Sequence, residues 1–421
     1  MSRASEYPAA TPMRATAFAL ITFFCCVGSF NPPASADGQM SLMILHAPAL
    51  LQTKKRMQAG DGAFLATRRR LERDADHALH SPTFSVTEKG TAPPSGDKHD
   101  YLSLAPYWWP NPNTSDGLPY VRRDGEVSPE RDGMSDRRRL DAMIQTVKTL
   151  AAAYFFTDGE KYAEHAAKLL RVWFVDDATK MTPHLRYAQA VPGRNQGRGA
   201  GIIETHNLPE LIDAVGLLGS SSAWSKTDHT RLQSWFGNYL NWLIESPEGK
   251  AEARAQNNHG SWYDVQIASY AFFVGRDELA RQALGAFAAE RIARQMEPDG
   301  SQPRELARTQ SWHYAIFNLE AMFNAATIGD RLGIDLWNYR STDQRSIRKV
   351  LDWLAPFAAG ERTWSYKQLS RFQPDKLAPL LRRAVLRYRE PAHEKMLAQL
   401  PNLKRDERWQ LLFATVPASK W

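Results

Sequence analysis

Cysteine is nearly absent from this sequence. Of 421 residues only two are cysteines, the adjacent Cys25 and Cys26. Both lie in an apolar run that we predict to be removed from the mature chain, so disulfide bonds, thiol nucleophiles and cysteine-ligated zinc are excluded from what remains. The sequence also has no His-Glu-x-x-His motif, and its histidines lack metal-ligand spacing. We therefore expect neither a metal nor a cofactor.

Long hydrophobic runs are also scarce. The one near the start, Ala15 to Phe30, follows Arg3 and Arg14 and precedes Ala34-Ser35-Ala36. A basic start, a short apolar stretch and small residues before a cleavage site are typical of a secretory signal peptide, here residues 1–36. The run is too short and interrupted for a stable membrane span. We therefore expect a periplasmic or secreted protein without stable membrane insertion.

The charge is moderately basic. The whole chain carries a formal net charge of +7, and +6 remains once residues 1–36 are removed. A basic exported protein attracts anionic partners by steering and local concentration. Export argues against nucleic acid, so an anionic polysaccharide is the expected partner, and we expect the protein to be a monomer.

Runs of alternating apolar and polar residues, the signature of strands, are missing. Apolar residues instead recur three and four apart from Ser135 almost to the end, as the helical period requires; such segments are Leu140 to Tyr154, Leu232 to Leu243, Leu279 to Ile292 and Ile347 to Leu354. Breaks at Asp158-Gly159, Pro247-Glu248-Gly249 and Pro298-Asp299-Gly300 separate them. The pattern predicts an all-α fold, a ring of helical hairpins in one domain over residues 37–421.

Residues 91–130 depart from this pattern. Prolines recur at 93, 94, 106, 110, 112, 119 and 129, which rules out a regular helix. Aromatic residues, among them Tyr107, Trp108 and Trp109, argue against disorder. Long ordered loops are usually functional. We predict a lid over the cleft, with these three rings contacting sugar; a static plug at one end of the ring is the alternative.

The stretch Asn257-Asn258-His259-Gly260-Ser261-Trp262-Tyr263 opens a predicted helix. Asparagine is a favoured helix N-cap, which explains one of the two amides. The other amide can donate hydrogen bonds without charge, and histidine changes protonation near neutral pH. We expect Asn257 and Trp262 to contact substrate, and Asn258 and His259 to take part in catalysis.

A second cluster follows about fifty residues later. Arg304 and Arg308 lie four residues apart and would share one helical face. Tyr314 is six residues beyond Arg308, so both can face one site only if a helix begins between them, capped by Thr309 or Ser311. An arginine fork binds a carboxylate in bidentate fashion. We predict substrate binding by Arg304 and catalysis by Arg308 and Tyr314.

A glycine-rich segment, residues 187–206, leads into another helix. It has no Gly-Lys-Ser/Thr and no preceding strand signal, so nucleotide binding is excluded. Arg194, Arg198 and His206 lie in it. We expect these three side chains to help bind an anionic chain.

Paired carboxylates are the last feature missing. A glycoside hydrolase needs two at a defined separation, and Glu204, Asp264 and Glu305 form no obvious pair. An amide, a histidine, an arginine and a tyrosine suit β-elimination on a polyuronate. A helical-toroid hydrolase and a non-catalytic glycan-binding protein remain alternatives.

Three motifs together resemble the alginate lyase superfamily: Asn-Asn-His-Gly-Ser-Trp-Tyr-Asp-Val-Gln, Tyr-Trp-Trp-Pro-Asn-Pro, and Tyr-Ala-Gln…Pro-Gly-Arg…Gly-Ile-Ile-Glu. The similarity runs from Tyr101 to Tyr366, which we include among the substrate contacts. It implies an incomplete (α/α) toroid with a tunnel-like cleft and a mobile lid. It also implies a catalytic centre formed by Asn258, His259, Arg308 and Tyr314.

One departure from the family pattern matters. In the best-known mannuronate lyases the tyrosine falls seven residues after the arginine, where this chain has Ala315. The shift suggests a sister family that includes glucuronan lyases as well as alginate lyases. We expect Asn258, with Arg308 or His259, to bind the uronate carboxylate. Tyr314 or His259 would remove the C5 proton, and Tyr314 would protonate the departing O4.

Overall fold

The computed structural model describes residues 42–401, 403 and 407–414. All of them belong to one compact unit, residues 38–421. The predicted signal peptide, residues 1–36, lies outside the described residues. Among the described residues no helix is long and apolar enough to cross a membrane.

α-Helices form most of the described chain, which confirms the all-α prediction. They are α1 Ala47–Gln58, α2 Leu65–Ala78, α3 Ser135–Thr157, α4 Glu160–Leu170, α5 Leu208–Leu217, α6 Lys226–Glu245, α7 Pro247–Ala253, α8 Asn258–Phe273, α9 Asp277–Phe287, α10 Ala293–Gln295, α11 Pro303–Leu306, α12 Ser311–Leu332, α13 Ile347–Ala358, α14 Ala378–Tyr388, α15 Pro391–Gln399 and α16 Trp409–Leu412. Tight or wide helical turns add Gly62–Phe64, Val86–Glu88, Pro129–Gly133, Arg171–Val175, Gly199–Thr205, Ala288–Ile292 and Pro374–Leu377.

The helices pack as successive neighbours of an (α/α) toroid. Helix α3 packs against α4 and α5, and α8 packs against α6, α9 and α12. Most residues of α8 and α12 are buried on several sides, as expected of inner helices rather than surface helices with one apolar face. The N-terminal ends of α8 and α12 carry the two clusters predicted from the sequence, so the fold positions both through two packed helices.

Local chemistry sets several helix ends. Asp158 ends α3 in the left-handed conformation with φ of 57°, which aspartate tolerates better than most residues. Ser225 and Asp228 form a reciprocal capping box at the start of α6. The predicted break at Pro247-Glu248-Gly249 separates α6, which ends at Glu245, from α7, whose first turn these three residues form. Proline is favoured in the first helical turn, and Ser246 caps that turn by accepting from the Gly249 amide.

Four short strands accompany the helices. Strand β1 (Leu102–Leu104) pairs in parallel with β4 (Tyr187–Ala190), and β2 (Trp108–Trp109) pairs antiparallel with β3 (Val121–Arg122). The β2–β3 hairpin lies within residues 91–130. This segment is therefore ordered by backbone pairing, although its prolines exclude a helix.

Candidate active site

His259 forms a pair with a buried carboxylate. Its Nδ1 lies 2.6 Å from Oε1 of Glu252, a residue of α7 that is 3% exposed. A carboxylate at Nδ1 stabilises the tautomer that carries its proton there. Nε2 of His259, in the part-exposed ring, is then the nitrogen able to accept a proton.

The two asparagines have different roles. Asn257 is the N-cap of α8, and its side chain accepts from the His259 amide at 3.3 Å. Asn258 is buried and donates to Glu305 twice, from its backbone N and from Nδ2, both at 2.7 Å. Burial raises the pKa of Glu305, although the Asn258 hydrogen bonds oppose the rise. The Glu305 carboxyl group thus fixes Asn258, while Oδ1 of Asn258 has no hydrogen-bond partner among the described residues.

Arg308 is held by Asp124 of the predicted lid. Its Nε lies 3.1 Å from both carboxylate oxygens and its Nη2 lies 2.8 Å from Oδ1. Burial lowers the pKa of Arg308, but the Asp124 hydrogen bonds outweigh burial and raise it, so the guanidinium stays charged. The same guanidinium lies 3.8 Å from the ring centroid of Tyr314, well within cation–π range.

Tyr314 is joined to the lid by a second contact. Its hydroxyl oxygen lies 2.6 Å from the hydroxyl oxygen of Tyr107. Burial and Tyr107 raise the pKa of Tyr314 far above its usual value, although the Arg308 charge opposes the rise. The resting Tyr314 hydroxyl therefore keeps its proton.

The pairs Asn258–His259 and Arg308–Tyr314 both lie within electrostatic range of Glu305. Glu305 accepts from Asn258, and both Arg308 and His259 lower its pKa through their charges. Arg308 in turn lies over Tyr314. Two helix starts separated by about fifty residues in sequence are thereby brought into one site.

The start of α12 explains how Arg308 and Tyr314 meet. Helix α11 ends at Leu306 and α12 begins at Ser311, which confirms that a helix starts between the two side chains. The predicted caps are wrong: Gln310 occupies the N-cap position without a side-chain cap bond. Thr309 instead donates to the backbone oxygen of Asp124 at 2.7 Å.

Arg304 and Arg308 do not share a helical face, contrary to the prediction. Arg304 lies on the short α11, which ends before Arg308, and its side chain is exposed. The structure records no contact of Arg304 with the His259–Tyr314 cluster. Helix periodicity misplaced it because the helix that the pattern implied ends two residues before Arg308.

Arg198 of the glycine-rich segment lies within electrostatic range of Glu252, the partner of His259. Arg198 donates from Nη2 to the side chain of Gln189 at 2.7 Å, and its buried Nε has no partner among the described residues. Burial, then the nearby Arg122, lowers the pKa of Arg198, while Glu252 and Glu204 oppose the lowering. Arg198 is thus a cation with one unpaired nitrogen, and its charge interacts with Glu252 of the His259–Glu252 pair.

Arg194 and the lid tryptophans form contacts among themselves. Arg194 is exposed, donates from Nε to the Tyr120 oxygen at 2.9 Å and lies 5.0 Å from the Trp108 ring centroid. Trp109 donates to the Glu126 oxygen at 3.0 Å, and Arg123 lies 5.0 Å from its ring centroid. Both indole rings are half-buried. An arginine therefore occupies one face of each ring.

Two predicted substrate contacts need correction. Trp262 is 1% exposed and donates to the Phe317 backbone oxygen at 3.1 Å, so it is a core residue that no sugar ring can stack on. His206 packs edge-on against Trp262 and Phe317, and burial lowers its pKa to about 4. It is neutral near pH 7 and adds no charge to attract an anion.

Tyr366 is 38% exposed and belongs to an aromatic cluster with Trp353 and Trp364, at centroid distances of 5.9 and 5.1 Å. The structure records no contact between Tyr366 and the His259–Tyr314 cluster. Its assignment as a substrate contact stays a prediction.

A groove of about 440 Å³ opens beside Tyr107. The lid residues Gly125 and Val127 line one side; residues of α12 and of the segment after it line the rest, namely Gln310, Trp312, His313, Ile316, Phe317, Glu320, Gln368, Ser370, Arg371, Gln373 and Lys376. Arg371 and Lys376 are exposed, and neither has an ion-pair partner among the described residues. The groove therefore offers positive charge next to the tyrosine pair.

The carboxylates considered for a hydrolase are all engaged elsewhere. Glu204 is 3% exposed and accepts from the hydroxyls of Tyr101 and Ser103, both at 2.7 Å. Asp264 pairs with Arg291 at 2.7 Å, and Glu305 holds Asn258. None of the three is free to act as the acid or base of glycoside hydrolysis.

Sequence reasoning missed three residues that organise the site: Glu252, Asp124 and Gln189. Glu252 falls seven positions before His259 but on a different helix, and Asp124 is 184 positions from Arg308. Gln189 has a positive φ of 50°, a strained conformation that often marks functional sites. A single sequence carries no signal for the two distant pairings, whereas the Tyr-Ala-Gln motif did include Gln189.

An all-α toroid that gathers an amide, a histidine, an arginine and a tyrosine, with its nearby carboxylates bound to other groups, has the architecture of a polysaccharide lyase. The sequence model of the alginate lyase family matches residues 85–364, more than half of the chain, and the protein belongs to that family. No match was found among curated protein sequences.

Solved structures agree. A crystal structure of an alginate lyase from Bacteroides ovatus is 39% identical in sequence to this chain and has a TM-score of 0.86. The match includes 90% of this chain and 100% of that one. A variant of alginate lyase A1-III complexed with a tetrasaccharide has a TM-score of 0.54 at 17% identity, with coverage of 80% of this chain and 85% of that one. The second similarity concerns the fold alone. Together with the family match, the first makes this protein a polysaccharide lyase.

Proposed function

We propose that this lyase cleaves a polyuronate, with mannuronate-rich alginate as the first candidate, by β-elimination that leaves 4,5-unsaturated uronate ends. The observation that carries the proposal is the joined set of His259–Glu252, Asn258–Glu305 and Arg308–Tyr314. Such a set can bind a carboxylate and move one proton, which elimination requires. Glucuronan, which differs from polymannuronate at C2 of the sugar, is the alternative substrate.

The first requirement is to stabilise charge on the substrate carboxylate. Removal of the C5 proton gives an enolate-like intermediate, so donors directed at the carboxylate stabilise the transition state. Asn258 has a second Nδ2 hydrogen beyond the one given to Glu305, and Arg198 adds a positive charge that interacts with Glu252, the partner of His259. We assign carboxylate binding to these groups, with Arg308 adding positive charge from behind Tyr314.

The second requirement is proton transfer. In guluronate the C5 hydrogen and O4 lie on opposite sides of the ring, so His259 takes the C5 proton at Nε2 and Tyr314 gives its proton to O4. In mannuronate and glucuronate they lie on the same side, and Tyr314 serves both steps. That route starts from tyrosinate, a form that Arg308 favours and that burial and Tyr107 oppose.

The third requirement is room for a polymer. The groove beside Tyr107 is lined in part by the exposed Arg371 and Lys376. Positive charge along a groove concentrates an anionic chain and speeds its binding. We propose that uronate residues flanking the cleaved bond lie in this groove, and that the enzyme works in the periplasm or outside the cell.

The decisive experiment is to incubate the protein separately with polymannuronate, polyguluronate and glucuronan. Ultraviolet absorbance of the new C4–C5 double bond and the yield of reducing ends are recorded together. We expect both signals to rise in proportion on at least one polymer, and the preferred polymer identifies the sugar.

The two rival functions give different results. A hydrolase would release reducing ends without absorbance, and a binding protein would give neither signal while still retarding the polymer in affinity electrophoresis. A protein that leaves all three polymers uncut would contradict the proposed substrate class.

A further inference from the structure

Asp124 makes an unusually complete set of contacts for an exposed loop. Besides the three hydrogen bonds from Arg308, its Oδ2 accepts from the Thr309 backbone N at 3.2 Å. The single Thr309 hydroxyl hydrogen is shared between the Asp124 backbone oxygen at 2.7 Å and Oδ2 at 2.9 Å. Arg122 on the lid side donates to Oδ1 at 2.6 Å. Both carboxylate oxygens thus accept hydrogen bonds from the loop that precedes α12, through Arg308 and Thr309, and α12 carries Tyr314.

Gly125, the residue after Asp124, also lies close to Thr309. Gly125 has φ of 78°, and a Cβ at this position would lie 2.2 Å from Oγ1 of Thr309. Only glycine therefore allows the lid to approach Thr309 this closely. The lid and the loop before α12 are therefore complementary in both charge and shape.

We infer that Asp124 is a positioning residue: it latches the lid to Arg308 and fixes that guanidinium against the ring of Tyr314. This inference rests on the proposed function, because it assigns Arg308 a task in proton transfer. A bidentate carboxylate defines the plane of a guanidinium group, and this plane places the positive charge 3.8 Å from the Tyr314 centroid. Arg308 then acts on the tyrosine, while Asn258 and Arg198 bind the substrate carboxylate.

The latch also couples lid closure to catalysis. Burial raises the pKa of Asp124, but the hydrogen bonds from Arg308 and Thr309 outweigh burial and hold the pKa at about 2. Asp124 stays ionised throughout the neutral range. The same closed lid brings the Tyr107 hydroxyl to Tyr314, so closing the latch completes both contacts to the catalytic tyrosine.

The first test compares Asp124→Ala and Asp124→Asn with the control Asp116→Asn. Asp116 lies in the same segment, is exposed, and accepts from the Leu118 amide. In Asp124→Asn one amide group must face a donor of Arg308 or Thr309. We expect kcat to fall roughly 10- to 100-fold, as when a reacting group is misplaced by about an ångström, with a smaller change in KM. Asp124→Glu should recover part of the loss.

The second test needs no substrate. Hydrogen exchange of residues 104–127 should be faster in Asp124→Ala than in the wild-type protein and unchanged in Asp116→Asn. Gly125→Ala should give the same faster exchange through the Thr309 clash. Its control is Gly96→Ala, which has the same backbone strain at φ of 79° but nothing within 4 Å of the added Cβ.

Two results would overturn the inference. Unchanged exchange in Asp124→Ala would mean that the latch does not hold the lid. Faster exchange with wild-type kcat would mean that it holds the lid without positioning Arg308. A wild-type protein inactive on every polyuronate would instead contradict the proposed function, and the exchange experiment would still report on the latch.

Discussion

At the scale of single residues, the site contains two side chains suited to proton transfer and the residues that contact them. Tyr314 and His259 have atoms that can exchange protons, and each is tuned by a neighbour from another element: Tyr107 and Arg308 for the tyrosine, Glu252 for the histidine. Such neighbours orient each side chain before substrate arrives. Three predictions follow at this scale.

Tyr314→Phe should lower kcat by roughly 10²- to 10⁴-fold, the usual contribution of a positioned acid or base. The ring remains to fill its space under Arg308, so melting temperature and polymer binding should change little. Tyr339→Phe, a half-buried tyrosine packed against the core, is the control. Near-normal activity of Tyr314→Phe would make Tyr314 a packing residue only.

Tyr107→Phe should shift to lower pH the limb of the pH–rate profile that Tyr314 governs. This is the alkaline limb on guluronate linkages, where protonated Tyr314 is the acid, and the acidic limb on mannuronate linkages, where the route starts from tyrosinate. Tyr107 raises the pKa of Tyr314 by its hydrogen bond and its charge interaction, so removing its hydroxyl lets Tyr314 lose its proton at lower pH. The measurement is kcat against pH on the best substrate for both proteins. Superimposable profiles would show that Tyr314 does not titrate in the rate-determining step.

Glu252→Gln should lower kcat on the order of 10²- to 10⁴-fold on guluronate linkages, since an amide no longer stabilises the Nδ1–H tautomer of His259. The loss should be smaller on mannuronate linkages, where Tyr314 can serve as base. Glu245→Gln, an exposed glutamate at the end of α6, is the control. Equal losses on both linkages would assign His259 to carboxylate binding.

At the scale of elements, the lid and two helix starts form the site. The lid is ordered by the β2–β3 hairpin and contacts the body of the protein through Tyr107, Asp124 and Trp108 with Arg194. A lid of this kind excludes water from the enolate and commits the chain to cleavage. If the segment were a static plug instead, it would contribute only to the stability of the fold.

Trp108→Ala should therefore reduce polymer turnover several-fold, because the ring under Arg194 joins the lid to the loop at residues 191–198. Bound oligosaccharide should in addition slow hydrogen exchange in residues 104–127 of the wild-type protein. The plug alternative predicts the reverse: a lower melting temperature in the variant, an unchanged rate per folded molecule, and exchange that substrate does not alter.

At the scale of the whole molecule, the chain carries a net positive charge, which would attract the anionic polymer proposed as substrate. Arg371 and Lys376 line the same groove as Tyr107, so part of that charge lies where the polymer is proposed to bind. Interactions of this kind are screened by salt.

The double variant Arg371→Ala, Lys376→Ala should raise KM for the polymer several-fold, leave kcat nearly unchanged and flatten the dependence of KM on ionic strength. A matched double variant at the exposed Lys250 and Lys395 removes the same charge elsewhere. If both pairs raise KM equally, the effect comes from net charge and the groove is not the binding surface.

The sequence by itself determined the helical architecture, because the recurrence of apolar residues every 3.6 positions is a local pattern. It can be recognised without knowing which segments contact each other in the fold. The sequence also singled out Asn258, His259, Arg308 and Tyr314 as candidates, since their motifs are contiguous. Its errors were local as well: Trp262 is too deeply buried to contact sugar, and His206 is held neutral by burial.

Only the tertiary structure decided which carboxylate forms a hydrogen bond or an ion pair with which residue of the site. Glu305 is 47 positions from Asn258 and Asp124 is 184 positions from Arg308, and no periodic pattern links such distant residues. Glu252 reaches His259 because α7 and α8 pack against each other. A pairing of charges depends on distance and burial, and both are properties of the folded chain rather than of any segment of it.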